Sequence, residues 1–288
     1  MRSKLFVPAS RPELYTKAMQ SEADGISFDL EDAVEQRRKA TARVELATWL
    51  KSLPPKQEVG KILIVRCNSI DTPEFQDDIQ AVACAALHQI NLPKVESPDA
   101  VIAMAEALER AEKEHGVDTP IGILANIESP RGLRCASEIA RAHPRVCGLQ
   151  IGFGDLFKPL GIQPSNEACQ YVRIQVRLAA GEAGIEAYDG AYVDIGNPQG
   201  YEEDAKAANA MGFAGKSCIH PSQVRLANNI FIPDAAEVAH ALRVMEAAEN
   251  NLARGTGAFV VDGKLVDGPF IESARRLIER ARRADTLE

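Results

Sequence analysis

The sequence predicts an α/β chain folded as an eight-stranded parallel barrel, a (β/α)8 TIM barrel, with a C-terminal extension. Three observations predict it. Short apolar runs alternate with helical stretches eight times between Leu5 and Ile219, the count and length of such a barrel. No GxGxxG follows the first run and no GxxxxGKS/T loop occurs, so the usual marks of an open nucleotide-binding sheet are missing. Three runs also end in residues that carry chemistry: Arg66 after Lys61–Val65, Glu128 after Ile121–Ile127, and Asp155 after Val146–Gly154. In a parallel barrel, strand C-termini open on one mouth.

The elements follow in order. Leu5–Pro8 reads as a strand, and Arg11–Ser21 as a helix with Pro12 near its start. Gly25–Asp29 is the second strand, followed by a charged helix over Arg37–Leu53. Lys61–Arg66 is the third strand, with a helix over Glu74–Ala86. Ile90–Leu92 is the fourth, and Pro98–His115 stacks Val101, Ala105 and Leu108 on one helical face. Ile121–Ile127 and Val146–Ile151 are the fifth and sixth strands, separated by a helix over Gly132–His143. A helix over Asn166–Glu182 leads to the seventh strand, Ala187–Val193. A helix over Gly200–Met211 leads to the eighth, Gly215–Ile219. The barrel domain is expected to span residues 1–232. The extension, 233–288, reads as a helix over Pro233–Ala253, a hairpin over Ala258–Val266 turning at Asp262-Gly263, and a basic helix over Pro269–Arg283.

Composition narrows the function classes. A formal net charge of −8 argues against polyanion binding as the main task, and so against a nucleic-acid partner. No apolar stretch approaches the roughly 20 residues of a membrane span, and the start is too short in apolar residues for a signal peptide. The six cysteines lack metal-ligand spacing and read as buried thiols of a reducing cytoplasm.

At the predicted mouth, Asp29, Glu31, Asp32, Glu128, Asp155 and Asp194 gather with Arg66 and Lys94, and His220 follows the last strand. Carboxylates accumulated at one mouth repel one another unless a cation compensates them. Glu128 and Asp155 as ligands leave positions for water and substrate oxygen, the usual way of holding Mg²⁺. The competing reading is that they cap the helices that follow; Asp155 suits that role, whereas glutamate is a poor cap. Glu31 and Asp32 are candidates for orienting metal-bound waters and Arg66 from behind. The glycines of Gly152-Phe-Gly154 allow backbone to approach a ligand closely.

Eight segments in order carry a family resemblance: Leu5–Pro12, Asp29–Val34, Val65–Asn68, Leu92–Ser97, Ile127–Gly132, Gly152–Leu156, Gly215–Pro221 and Asp262–Pro269. They resemble the citrate lyase β-subunit family of the HpcH/HpaI aldolase superfamily, with malyl-CoA and citramalyl-CoA lyases as free-standing relatives. The resemblance implies a Mg²⁺-dependent barrel that assembles as a homotrimer. It carries the metal ligands onto Glu128 and Asp155 and a substrate-binding arginine onto Arg66. It puts the family's nucleotide-handling residues at Phe6, Lys17, Ile219 and His220, as part of the substrate-binding set, and an acid/base aspartate at Asp267 that reaches a neighbouring subunit. Ser129-Pro130 replaces the family's more frequent Thr-Ala after the metal-binding glutamate.

The expected activity is therefore cleavage of a 3-hydroxyacyl-CoA thioester to acetyl-CoA and a 2-oxo acid. The alternatives are a citryl-carrier-protein lyase subunit, an aldolase of free 2-oxo acids, and an idle scaffold. Phe259, Val261, Leu265 and Val266 of the hairpin are expected to need an external surface, which an adjoining protomer supplies.

Overall fold

The strands expected from the sequence close into a barrel because each βα unit returns the chain parallel to its predecessor. The computed structural model describes residues 1–252 and 257–283. Its strands are β1 (Ser3–Pro8), β2 (Gly25–Asp29), β3 (Ile62–Arg66), β4 (Gln89–Leu92), β5 (Gly122–Ile127), β6 (Val146–Ile151), β7 (Glu186–Asp189) and β8 (Gly215–Cys218). Successive strands pair in parallel, and β1 closes on β8 with Lys4 opposite Ser217. This is the α/β TIM-barrel fold. The chain divides into two compact units, Met1–Ile230 and Phe231–Glu288.

The two faces of the strands differ in a way set by their alternation. Leu5, Val7, Ile26, Phe28, Leu63, Val65, Ile90, Ile123, Ala125 and Leu149 are buried on the helix-facing side. The alternate positions include Lys4, Ser27, Asn91, Asn126, Gln150 and Ser217, which are buried as well. Lys4 on β1 bonds Asn91 on β4, three strands away, so these polar side chains meet across the barrel interior. Barrel interiors are usually filled by Val, Ile and Leu; this one has a polar floor.

Helices over Pro98–His115 and Asn166–Glu182 form as expected, each N-capped by a serine hydroxyl, Ser97 and Ser165. Other boundaries differ. The helix expected over Glu74–Ala86 stops at Val82, because Ala83 turns extended. The helix expected over Gly132–His143 is two short ones, Pro130–Arg134 and Ala136–Arg141, broken at Cys135. The seventh strand ends at Asp189 rather than Val193: Gly190 packs against Phe153 and Ile151, and an added Cβ would lie 2.8 Å from the Phe153 ring. Asp194 consequently sits in an exposed loop, where its carboxylate accepts from the Gly196 N–H.

The C-terminal unit has its own core. A helix over Ala235–Leu252 packs with the hairpin β9 (Phe259–Val261) and β10 (Lys264–Val266) and a helix over Gly268–Arg283. Ala253 of the predicted helix lies outside the described residues. Asp262 (φ 47°) and Gly263 (φ 76°) make the tight turn. Phe259, Val261 and Val266 pack internally on Ala241, Val244, Ile271 and Ile278, which corrects the expectation that they need an external surface. Alternation turns the cross-strand pair Val260–Leu265 outward instead, and both are exposed, as is Phe270.

Candidate active site

Strand ends place the expected residues together. Arg66 ends β3 opposite Asp29, the last residue of β2. Asp29 grips the guanidinium with both oxygens, at 2.8 Å to Nε and 2.6 Å to one terminal nitrogen. That bidentate pair fixes the plane of the fork and uses two of its five N–H donors. The other terminal nitrogen lies 3.1 Å from Glu31 and 3.8 Å from Asp32. Burial opposes the charge on Arg66, but Asp29, Glu31 and Asp32 hold it protonated above the ordinary arginine value. The Phe6 ring lies 5.3 Å from the guanidinium carbon.

Glu128 follows β5 and is 3 % exposed. It does not cap the next helix. Ser129 does, accepting from the Gly132 N–H at 3.0 Å with Pro130 in the first helical position, so Ser129-Pro130 is a helix start. Freed from capping, Glu128 takes the backbone N–H of Lys94 on Oε1 at 2.6 Å and faces Asn126 Nδ2 at 3.3 Å with Oε2. Lys94 can offer that N–H because it adopts φ 52°, the left-handed region that side chains rarely visit. Its ammonium meets Glu31 at 2.7 Å. Glu128 also needs Gly152, where an added Cβ would lie 2.2 Å from Oε2.

Asp155 stands exposed in the first turn of a short helix over Phe153–Phe157, an element with no counterpart in the sequence reading. That helix start has no side-chain cap, so Asp155 is not spent on one. Burial first, then the charges of Glu31 and Asp155, push the Glu128 carboxyl up to about 7. Burial likewise raises Glu31 against the pull of Arg66 and Lys94. One Glu31 oxygen lacks a hydrogen bond. The cluster Asp29, Glu31, Asp32, Glu128 and Asp155 therefore outnumbers Arg66 and Lys94 in charge.

Such a donor set fits a small hard divalent cation. Among the described residues no three His, Cys, Asp or Glu side chains form a ready-made cage. Two carboxylates with open positions are what magnesium, which retains water ligands, accepts.

The remaining expected residues are spread more widely. Lys17 is exposed on the helix Tyr15–Met19. Ile219 and His220 follow β8; the Ile219 N–H donates to Gln223, and His220 Nδ1 pairs with Ser222 Oγ at 2.8 Å. Asp267 belongs to the C-terminal unit, where its carbonyl starts the final helix by accepting from the Ile271 N–H. No hydrogen bond reaches its Oδ1.

Three features escaped the sequence reading: the grip of Asp29 on Arg66, the strained backbone of Lys94, and a buried ion cluster beside β7. In that cluster Arg173 and Lys216, both fully buried, share Asp189 and Asp204. Arg173 also lies 5.3 Å from the Phe153 ring, bracing the turn that carries Asp155. The strand-end position of Asp189 was the available signal, masked by the apolar residues that follow it.

Comparison with known proteins shows the family. The pattern of the HpcH/HpaI aldolase/citrate lyase family matches residues 2–221. The citrate lyase subunit beta of Escherichia coli K12 is 37% identical over 283 residues, covering 97% of this chain and 93% of that protein. An L-malyl-CoA/beta-methylmalyl-CoA lyase of Cereibacter sphaeroides is 32% identical over 302 residues, covering 97% and 94%. A solved Mycobacterium tuberculosis protein, CitE in complex with magnesium, acetoacetate and coenzyme A, superposes with a TM-score of 0.76 at 33% identity. That similarity covers 98% of this chain and 100% of the other. A family match over most of the barrel, with relatives aligned along nearly the whole length, means that this chain belongs to the HpcH/HpaI aldolase/citrate lyase family of lyases.

Proposed function

We propose that this chain is a magnesium-dependent carbon–carbon lyase. Its substrate is a 3-hydroxyacyl-CoA thioester of the malyl-CoA or citramalyl-CoA type, and its products are acetyl-CoA and a 2-oxo acid. The observation that carries this reading is Glu128: a buried carboxyl, held by a strained Lys94 backbone and crowded by Glu31 and Asp155. A bound cation would offset the burial and the neighbouring negative charges that disfavour its ionised form. Glu128 and Asp155 would hold magnesium, which supplies the positive charge that anchors and polarises the 2-oxo acid.

The chain's own groups do the rest. As the substrate hydroxyl gives up its proton to solvent and its carbon becomes the carbonyl of the 2-oxo acid, the bond from that carbon to the methylene next to the thioester breaks and its electron pair moves toward the thioester carbonyl. The resulting enolate oxygen needs a fixed donor. Arg66, whose plane Asp29 sets, retains N–H donors for it and stays charged at any working pH. Glu31 and Asp32 steady Arg66 and Lys94 from behind. Asp267 of an adjoining subunit gives its proton to the methylene carbon, completing acetyl-CoA. Phe6, Lys17, Ile219 and His220 receive the CoA portion.

A homotrimer would supply this division of labour. Tyr171, Ile174 and Leu178 form an exposed apolar stripe on Asn166–Glu182, and the paired Val260 and Leu265, with Phe270, are exposed on the C-terminal unit. Both are surfaces that a second copy would cover.

A second reading, a citryl thioester carried by a protein, draws on the higher identity to the citrate lyase subunit beta than to the malyl-CoA lyase. Product analysis separates the two. With Mg²⁺ present, malyl-CoA or citramalyl-CoA should release acetyl-CoA. Cleavage of citryl-carrier protein alone would select the second reading, and inertness toward all three would overturn both.

A further inference from the structure

Lys4 is 1 % exposed and takes no part in the chemistry above, yet it begins a line of hydrogen bonds that ends on Glu128. Its Nζ donates to Asn91 Oδ1 at 2.8 Å. Asn91 Nδ2 donates to the Leu124 carbonyl at 3.0 Å and to Asn126 Oδ1 at 2.7 Å. Asn126 Nδ2 then faces Glu128 Oε2 at 3.3 Å. The line crosses the barrel floor from β1 through β4 to β5, and both asparagines are buried to within 1 %.

The direction of the line follows from donor and acceptor chemistry. A backbone carbonyl only accepts, so the Leu124 carbonyl holds the Asn91 N–H groups on its own side and leaves Asn91 Oδ1 to accept from Lys4. Asn91 then presents N–H to Asn126, which turns the Asn126 oxygen toward Asn91 and its N–H groups toward Glu128. With the Lys94 N–H on Oε1, both oxygens of Glu128 face donors from fixed backbone or buried amides. Burial drives the Lys4 amine well below its ordinary value, but a neutral amine still donates.

We propose that Lys4, Asn91 and Asn126 form a donor-directed line that positions Glu128 for its cation, with Asn126 the last link and Lys4 the first donor, which satisfies the buried Asn91 oxygen. The inference rests on the reading of Glu128 as a metal ligand. Groups that orient a ligand from behind typically contribute 10- to 100-fold to metal affinity.

The test is Mn²⁺ binding to the purified full chain, read by the electron paramagnetic resonance of free Mn²⁺ and paired with thermal unfolding in chelator. Asn126→Leu, similar in volume but without a donor, should raise the Mn²⁺ dissociation constant about 10- to 100-fold. Lys4→Met should move it in the same direction. Lys4→Gln, whose amide can donate to the same Asn91 oxygen, should restore tight binding. A purely structural role for the line would lower the unfolding temperature and leave Mn²⁺ affinity alone. Wild-type affinity in a folded Asn126→Leu or Lys4→Met variant overturns the inference, and either variant decides it if the other does not fold. Glu128→Gln serves as the reference: wild-type affinity there overturns the metal-ligand reading itself, and this inference with it.

Discussion

Gly152 and Glu128 are in contact so close that no side chain fits between them: a Cβ on Gly152 would lie 2.2 Å from Glu128 Oε2 and 2.6 Å from Glu128 Cβ. The second distance matters more, because Cβ cannot swing aside as the end of a flexible side chain can. Glycine at 152 therefore serves the carboxylate, whereas Gly154, in the same short segment, has open space beside it.

Gly152→Ala should accordingly displace Glu128 or its strand. We expect a loss of about 1–3 kcal/mol in stability, as for overpacked interiors, together with at least about tenfold weaker Mn²⁺ binding. Denaturant unfolding and metal titration measure the two. An alanine variant with normal metal affinity would mean that Glu128 does not need its present position.

Arg66→Lys keeps a positive charge but gives up the planar fork that Asp29 grips at two points. Loss of an oxyanion-type donor costs about 10² or more in kcat, and we expect a loss of that size in steady-state turnover. Near-normal kcat would assign Arg66 to structure alone.

The metal-free protein should carry a pH signature of Glu128. Its carboxyl titrates at about 7 instead of the ordinary 4.5, because burial and then the Glu31 and Asp155 charges disfavour ionisation. Between those two values the folded chain holds a proton that the unfolded chain has released. Stability is thus greatest below the window, falls as pH rises through it, and stays reduced above about 7. Glu128→Gln remains neutral and escapes that loss. In chelator the variant should melt above wild type at pH 8, with the gap closing toward pH 4.5. A gap that does not change with pH would contradict the assignment.

Much of this was readable in the residues, and what was not has physical causes. Arg66, Glu128 and Asp155 stood out because each ends an apolar run, where a parallel barrel collects its chemistry. Lys94 sat in the same kind of place, but its contribution is a backbone conformation, which side-chain identity does not announce. Asp29 read as one acid of a group; only the pairing of β2 with β3 sets it against Arg66. Ala191, Tyr192 and Val193 extend the apolar pattern past Gly190, which points to Asp194 as the strand end, but the strand stops at Asp189. The Lys4–Asn91–Asn126 line joins strands that are not neighbours, and local periodicity carries no trace of it.

Asp267 offers a test of the proposed shared site. We expect Asp267→Asn and Arg66→Ala each to be inactive alone. Mixed and allowed to exchange subunits, they should recover part of the activity, since some hybrid trimers then contain an intact composite site. Demonstrated exchange without recovery would place the whole site within one chain.

The most direct measurement is acetyl-CoA release from malyl-CoA or citramalyl-CoA across a Mg²⁺ titration of chelator-stripped protein, for wild type, Glu128→Gln and Asp155→Asn. We expect saturable activation of wild type, no turnover without metal, and both variants needing far more Mg²⁺ or failing to respond. Full turnover in excess chelator, or variants that track wild type, would contradict the account.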